Sequence, residues 1–478
     1  MESSTRGRRR RAGTRRKTGK LQNFPLCFTC KARHTRCDEK KPVCSNCERL
    51  NLQCRASEFI TRSAWCEPNV EPQVSTDVDI PAQPIEPPES TWDLFDTSLP
   101  DSTGASSVGY TVCPSPPKIM VPMHPKVPIN LDSEMVQLLT AYQRGVATWM
   151  DIFDHSCTYE RTISQRALDS ELLLRCICAF SAKQLSLLPN GEVWTPVAAR
   201  YYVQALGLFI NEVDPSAPPE EALTAIMMLG SYEMIAAQGY EHRHHFLGAG
   251  MVIKTRGINA SSTGMDRASF WIYIRHEIDV ALTNESTLSI SPRDWNVDWT
   301  KTDVQEDEIA NRLMWFVGRA VDLIYGEDPQ SSVRQSLLDD VQKWKDALPV
   351  SFRGVRYGNS TEEGFTRTYF AIPAAATAAL WYHCLMILLY AEPLPRELLD
   401  KEMEEVQANA YEIGNIVLSD VSKSVRSFSA LPLYFAGKHI QGIARKAQIW
   451  SFLNDFQTQL GFQSRSKVKK LQQLAYGP

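Results

Sequence analysis

The sequence predicts a small metal-stabilised module and a large all-α domain joined by a disordered linker, and three observations carry that prediction. Six of the 12 cysteines fall in the 28 residues from Cys27 to Cys54. The stretch from Glu67 to Pro128 is rich in proline, serine, threonine and acid. From Leu131 onward, apolar residues recur at spacings of three and four, and alternating strand patterns are scarce. With 478 residues, 43% of them hydrophobic, the chain has room for two or three domains and material for at least one sizeable core.

Residues 1–22 read as a disordered basic arm. The runs RGRRRR and TRRKTGK have no apolar periodicity, and Arg8, Arg9, Arg10, Arg11, Arg15, Arg16 and Lys17 are candidates for nuclear import or phosphate contact. The formal net charge of −4 conceals a segregation: between residues 1 and 60, sixteen basic residues stand against five acidic ones, a local +11 before metal or thiolate is counted. Such a field favours a polyanion. The arginine-rich start has no apolar core of the signal-peptide type, so the expectation is a reducing compartment with free or metal-bound thiols.

Residues 23–60 hold the decisive pattern, CFTCKARHTRCDEKKPVCSNCERLNLQC. Cys27, Cys30 and Cys37 recur 17 residues later as Cys44, Cys47 and Cys54, so the unit C-x2-C-x6-C occurs twice. A structural zinc ion takes four ligands in a tetrahedron, and binding deprotonates the thiols. Two zinc ions need eight ligand contacts, and six sulfurs supply eight when two of them bridge. A single four-cysteine site would leave two cysteines of the repeat without a role, and iron–sulfur centres usually show other spacings. The stretch has few apolar residues, so metal rather than a hydrophobic core must hold it.

These residues resemble the fungal Zn(2)-C6 binuclear cluster family, whose motif is two such half-units joined by a short loop. The resemblance implies that Cys27 and Cys44 bridge two zinc ions, that Cys30, Cys37, Cys47 and Cys54 are terminal ligands, and that Pro42 is the family's loop proline. It further implies that the helix at KARHTRC enters the DNA major groove with Lys31, Arg33, His34 and Arg36 as DNA-binding residues. His34 stands where the family typically contacts guanine with lysine. A neutral histidine donates one ring hydrogen rather than three, so a CGG-type preference is not carried over.

Residues 61–130 form the Pro/Ser/acidic linker, with pieces such as PAQPIEPPES. Within it, STWDLFDTSLPD interleaves Trp92, Leu94 and Phe95 with Asp93 and Asp96, a composition shared by acidic activation segments and inert linkers. Directly after the cysteines, RASEFITRSAWCEPNVEPQ sustains no heptad repeat. A homodimer would then form through the helical domain, and monomeric DNA binding stays open.

Residues 131–478 read as one helical domain with Asp132 as its first N-cap and VDPSAPPEE, SISPRDWNVDW and AEPLPRE as turns. The words YYVQAL, ALTAIMMLGSYEM, HRHHFLGAGMVIKTRG and FWIYIRHEIDVAL, followed by SPRDWNVDW, resemble the fungal-specific transcription factor domain. That resemblance implies an all-helical regulatory domain without catalytic residues, in a nuclear protein whose partners are double-stranded DNA, transcription machinery or co-regulators. The apolar run Ala371–Ala391 is about as long as a bilayer span but reads as a buried helix, so no membrane partner is expected.

An enzyme is not expected either. His242, His244 and His245 lack the paired i, i+4 spacing of a catalytic zinc helix, since the position four after His242 is Phe246. Gly248, Gly250 and Gly257 lack the G-K-[ST] ending of a phosphate loop, and no G-x-S-x-G word occurs.

Overall fold

Asp132 starts the helical region as its sequence predicts. Its carboxylate accepts from the Met135 backbone N–H at 2.7 Å, occupying one of the donors that a helix start leaves unpaired. The computed structural model describes residues 40, 43–50, 129–214, 218–236, 243–326, 331–393, 399–461 and 464–476. The chain divides into two units, Met1–Ser115 and Pro116–Pro478. In the first, the described regular element is α1 (Ser45–Arg49).

The second unit begins with α2 (Ser133–Arg144) and α3 (Val146–Met150). Next come α4 (Glu171–Ser186), α5 (Thr195–Glu212), α6 (Glu221–Ala236), α7 (Arg243–Arg256) and α8 (Gly264–Asn284). Ser170 caps α4, and its hydroxyl donates to Glu221 at 2.6 Å, tying the start of α4 to the start of α6. Helix α5 carries Pro196 in its first turn, where the missing N–H costs nothing. The segment SPRDW forms a 3-10 turn after α8 that carries Trp295 into the core, with its indole N–H on the Ile290 carbonyl at 3.0 Å.

Helix α9 (Glu306–Tyr325) has three acids in its first turn, which suit the positive helix end, and buries a stripe that includes Leu313, Val317, Ala320 and Ile324. Gly318 on this helix is forced: a Cβ there would lie 2.4 Å from the Trp295 ring. Helix α10 (Ser331–Asp346) follows.

Helix α11 (Pro373–Ala391) is the apolar run singled out for its bilayer-like length. It packs against α9, α12 (Asp400–Leu418) and α14 (Ala430–His439), and 14 of its 19 residues are buried by protein. Apolarity on every side of a helix is what a position at the centre of a bundle demands. Two of its polar side chains are satisfied: Thr377 Oγ1 donates to the Pro373 carbonyl at 3.0 Å, and His383 Nδ1 lies 2.8 Å from Asn409 Oδ1, with burial pushing the imidazole pKa down to about 4. The fold ends with α13 (Lys423–Ser427), which precedes α14, then α15 (Ile443–Leu460) and α16 (Arg465–Tyr476).

One departure from the all-helical expectation is a two-stranded antiparallel ribbon of β1 (Val355–Tyr357) and β2 (Arg367–Tyr369), with Arg356 opposite Thr368. It lies on α12. Thr368 N–H donates to Ser419 Oγ at 2.7 Å, Thr366 N–H donates to Asn415 Oδ1 at 2.8 Å, and Phe365 fills the space left by Gly414. Three residues per strand give too short an alternation to register as a period of two.

Candidate metal centre and nucleic-acid interface

Of the six predicted zinc ligands, Cys44 and Cys47 lie among the described residues, and the backbone places them together. Cys44 immediately precedes α1 and Cys47 is its third residue, so a spacing of three puts both sulfurs on one helical turn. The Cys47 backbone N–H lies 3.4 Å from Cys44 Sγ, and Glu48 N–H closes the turn on the Cys44 carbonyl at 3.0 Å. A backbone N–H directed at sulfur favours the thiolate over the thiol.

The burial pattern in this segment is the inverse of a hydrophobic core. Both cysteines are 1% exposed, whereas Leu50, a large apolar side chain three residues beyond Cys47, is 43% exposed. A paired, buried set of sulfurs beside an exposed leucine fits metal-directed folding. The surroundings stay cationic: Lys40 sits 3.9 Å from Glu48 with both side chains about two-thirds exposed, a geometry that contributes little energy and leaves the lysine charge facing solvent.

Cys27, Cys30, Cys37 and Cys54 lie outside the described residues, as do Pro42, the predicted DNA contacts Lys31, Arg33, His34 and Arg36, and the arm cations Arg8, Arg9, Arg10, Arg11, Arg15, Arg16 and Lys17. The linker segment STWDLFDTSLPD also falls outside them.

Cysteines of the helical unit behave differently. Cys176, Cys178 and Cys384 are buried among apolar side chains, and burial pushes their thiols up, Cys178 to about 12, which holds them protonated. Cys157 comes near Asp151 and Glu160, a grouping with no sequence signature. Asp151 is already engaged there, because its two oxygens accept the Tyr159 and Glu160 backbone N–H groups at 2.8 Å each. Burial raises its carboxyl to about 7.

The histidine cluster resolves into packing where it is described. His245 Nε2 lies 3.0 Å from Tyr202 OH and 3.3 Å from Glu233 Oε1, joining α7 to α5 and α6. His242 and the side chain of His244 lie outside the described residues. Gly248 and Gly250 sit inside α7, and Gly257, at φ +64°, ends it, so these glycines form no phosphate loop.

Comparison with known proteins assigns both regions. Residues 26–63 match the fungal Zn(2)-Cys(6) binuclear cluster domain, and residues 137–314 match the fungal specific transcription factor domain. Both domains of the fungal zinc-cluster transcription factors are thus matched, in that order, within this chain. It is similar to the transcriptional activator protein UGA3 of Saccharomyces cerevisiae, 27% identical over 194 residues that cover 39% of this chain and 35% of that relative. It is also similar to the arginine metabolism regulation protein II of the same yeast, 36% identical over 53 residues, 11% of this chain and 6% of the relative. The matched parts thus span about a third of the first relative's length and a small fraction of the second's. No solved structure matches. The cluster family implies zinc and DNA as the ligands of the N-terminal region.

Proposed function

We propose that this chain is a zinc-dependent, sequence-specific DNA-binding transcription factor. It acts in the nucleus on genes read by RNA polymerase II, with a metabolic or secondary-metabolite gene cluster as its class of target. The observation that carries the reading is the buried Cys44–Cys47 pair inside a twice-repeated ligand pattern, set in a segment of local charge +11. Both relatives are named as regulators, one of them of arginine metabolism, which supports the metabolic part.

In this reading Cys27, Cys30, Cys37, Cys44, Cys47 and Cys54 hold two zinc ions per chain, with Cys27 and Cys44 bridging. Zinc supplies cross-links in place of a core. The sulfurs fix the backbone between Cys30 and Cys37, so Lys31, Arg33, His34 and Arg36 present their donors in a set order to base edges and phosphates. The arm cations, Arg8 to Arg11 and Arg15 to Lys17, add charge that steers the module to DNA and serve nuclear import. The working division is arm 1–22, zinc module 23–60, linker 61–130 and regulatory domain 131–478. The helical domain receives the co-regulator or transcription-machinery contact, and a homodimer, where it forms, forms there.

The test is selection of the zinc-loaded full chain on random duplex pools, with and without a chelator. Enrichment of one sequence that disappears on chelation is the expected result. Equal retention of all duplexes, or enrichment that survives zinc removal, would overturn the proposal.

A further inference from the structure

The ribbon β1/β2 and helices α10, α11 and α12 enclose a cavity of about 240 Å³. Roughly 10–15 Å³ of such space holds one water molecule, so the cavity admits a molecule many times that size. Its wall is aromatic. Trp344 and Tyr382 stack with ring centroids 6.2 Å apart and planes 23° from parallel, and Phe352 and Phe370 add two further rings. A Cβ at Gly354 would lie 2.7 Å from the Phe370 ring, so glycine lets that ring seat beside the start of β1. Ala379, one turn before His383 on α11, leaves open a space that a longer side chain would occupy. Four rings around one cavity suit a flat apolar body.

The polar groups on the wall have capacity to spare. His383 Nδ1 faces Asn409 Oδ1, and Asn409 Nδ2 donates to the Glu405 carbonyl at 2.8 Å, which fixes the amide's orientation and puts the imidazole hydrogen on Nδ1. Nε2 therefore carries a lone pair. It makes no hydrogen bond among the described residues and is not closed off from water, so it is an acceptor in want of a donor. Burial, together with the nearby Lys345 and Arg356, keeps the ring neutral near pH 7.

The charge at the mouth has a definite sign. Lys345 Nζ donates to Tyr382 OH at 3.0 Å and lies 4.3 Å from the centre of that ring. The lysine keeps two further N–H groups and the phenol keeps its own hydrogen, side by side. Lys345 is exposed and, among the described residues, forms no ion pair. Arg356 and Glu412, the other charged groups on the wall, pair with each other. The ammonium of Lys345 is left unmatched, and an ammonium beside a phenol O–H is the complement of an anionic oxygen.

We propose that this cavity binds an aromatic hydroxy acid: the ring lies among Trp344, Phe352, Phe370 and Tyr382, the carboxylate meets Lys345 Nζ and the Tyr382 O–H, and the hydroxyl donates to His383 Nε2. The inference concerns ligand binding by the helical domain and is independent of the DNA-binding reading.

Calorimetric titration of the zinc-loaded full chain with para-hydroxybenzoate and para-hydroxyphenylacetate, which differ in reach by one methylene, tests it. Benzoate, phenylacetate and the amides of the two hydroxy acids are the controls. Saturable binding of one molecule per chain is expected for at least one hydroxy acid. Its amide should bind at least about tenfold more weakly, and its counterpart without the hydroxyl about fivefold more weakly or worse. Lys345→Gln changes an exposed side chain, so the fold should persist while affinity falls by at least about tenfold. Ala379→Leu puts a good helix former into the cavity and should abolish binding, with the circular dichroism spectrum unchanged from the wild type. Absence of a saturable signal from both hydroxy acids at about 10 mM, equal binding of the amides or of the acids without the hydroxyl, or undiminished binding by Lys345→Gln or by a folded Ala379→Leu chain would show that Lys345 only packs on Tyr382.

Discussion

Cysteine occupies two unlike environments in this chain, and the comparison between them separates the two regions better than their size does. In the N-terminal module, Cys44 and Cys47 are buried on one helical turn while the neighbouring Leu50 is exposed. In the helical domain, Cys176, Cys178 and Cys384 are equally buried, but each is surrounded by aliphatic and aromatic neighbours and held as a neutral thiol. The first environment suits sulfur to the proposed role of metal ligand, and the second makes it a small hydrophobe. On the proposed function, stability comes from metal bonds in one region and from apolar area removed from water in the other. The two should fail under different treatments.

The largest expected effect is Cys27→Ala. If Cys27 bridges, its loss removes a ligand from both ions, so zinc content measured by atomic emission should fall to near zero and sequence-selective DNA affinity should vanish. Thermal unfolding of the helical domain should be unchanged. Retention of two zinc ions with full affinity would show that Cys27 does not bridge, and a simultaneous collapse of the helical domain would break the comparison itself.

Trp295→Ala is the reciprocal experiment. Trp295 is fully buried, donates to the Ile290 carbonyl and fills the space kept open by Gly318. Removal of such a side chain costs about 3–5 kcal/mol, enough to shift denaturant unfolding of the helical domain strongly. Zinc stoichiometry and DNA selectivity should persist. A variant that loses zinc in parallel would mean that the regions do not fold as separate systems.

How far the sequence reveals each region follows from the same contrast. The Cys44–Cys47 pairing is readable because its information is local: a three-residue spacing places two sulfurs on one turn. Helices α2, α4 and α9 are readable because each carries a cap or an amphipathic stripe within its own residues, as at Asp132 and Ser170. Helix α11 is harder, since apolarity on all sides identifies either a core helix or a membrane span until its neighbours are known. The ribbon at Val355–Tyr357 and Arg367–Tyr369 depends on Ser419, Asn415 and Gly414, about fifty residues further along the chain.

The smallest effect is the most discriminating, because it applies one chemical change to both regions. Cys384→Ala removes a single sulfur from a fully buried site on α11, where burial pushes the thiol pKa up and no metal competes for it. The change is comparable to deleting one buried methyl-sized group, about 1 kcal/mol, and should appear as a slight fall in the unfolding midpoint with zinc content unaltered. Cys44→Ala deletes the same atom from an equally buried site, yet zinc binding should be lost. The ratio of the two outcomes measures how far a sulfur's role is set by its surroundings rather than by its burial, and equal effects on zinc would refute the division of labour.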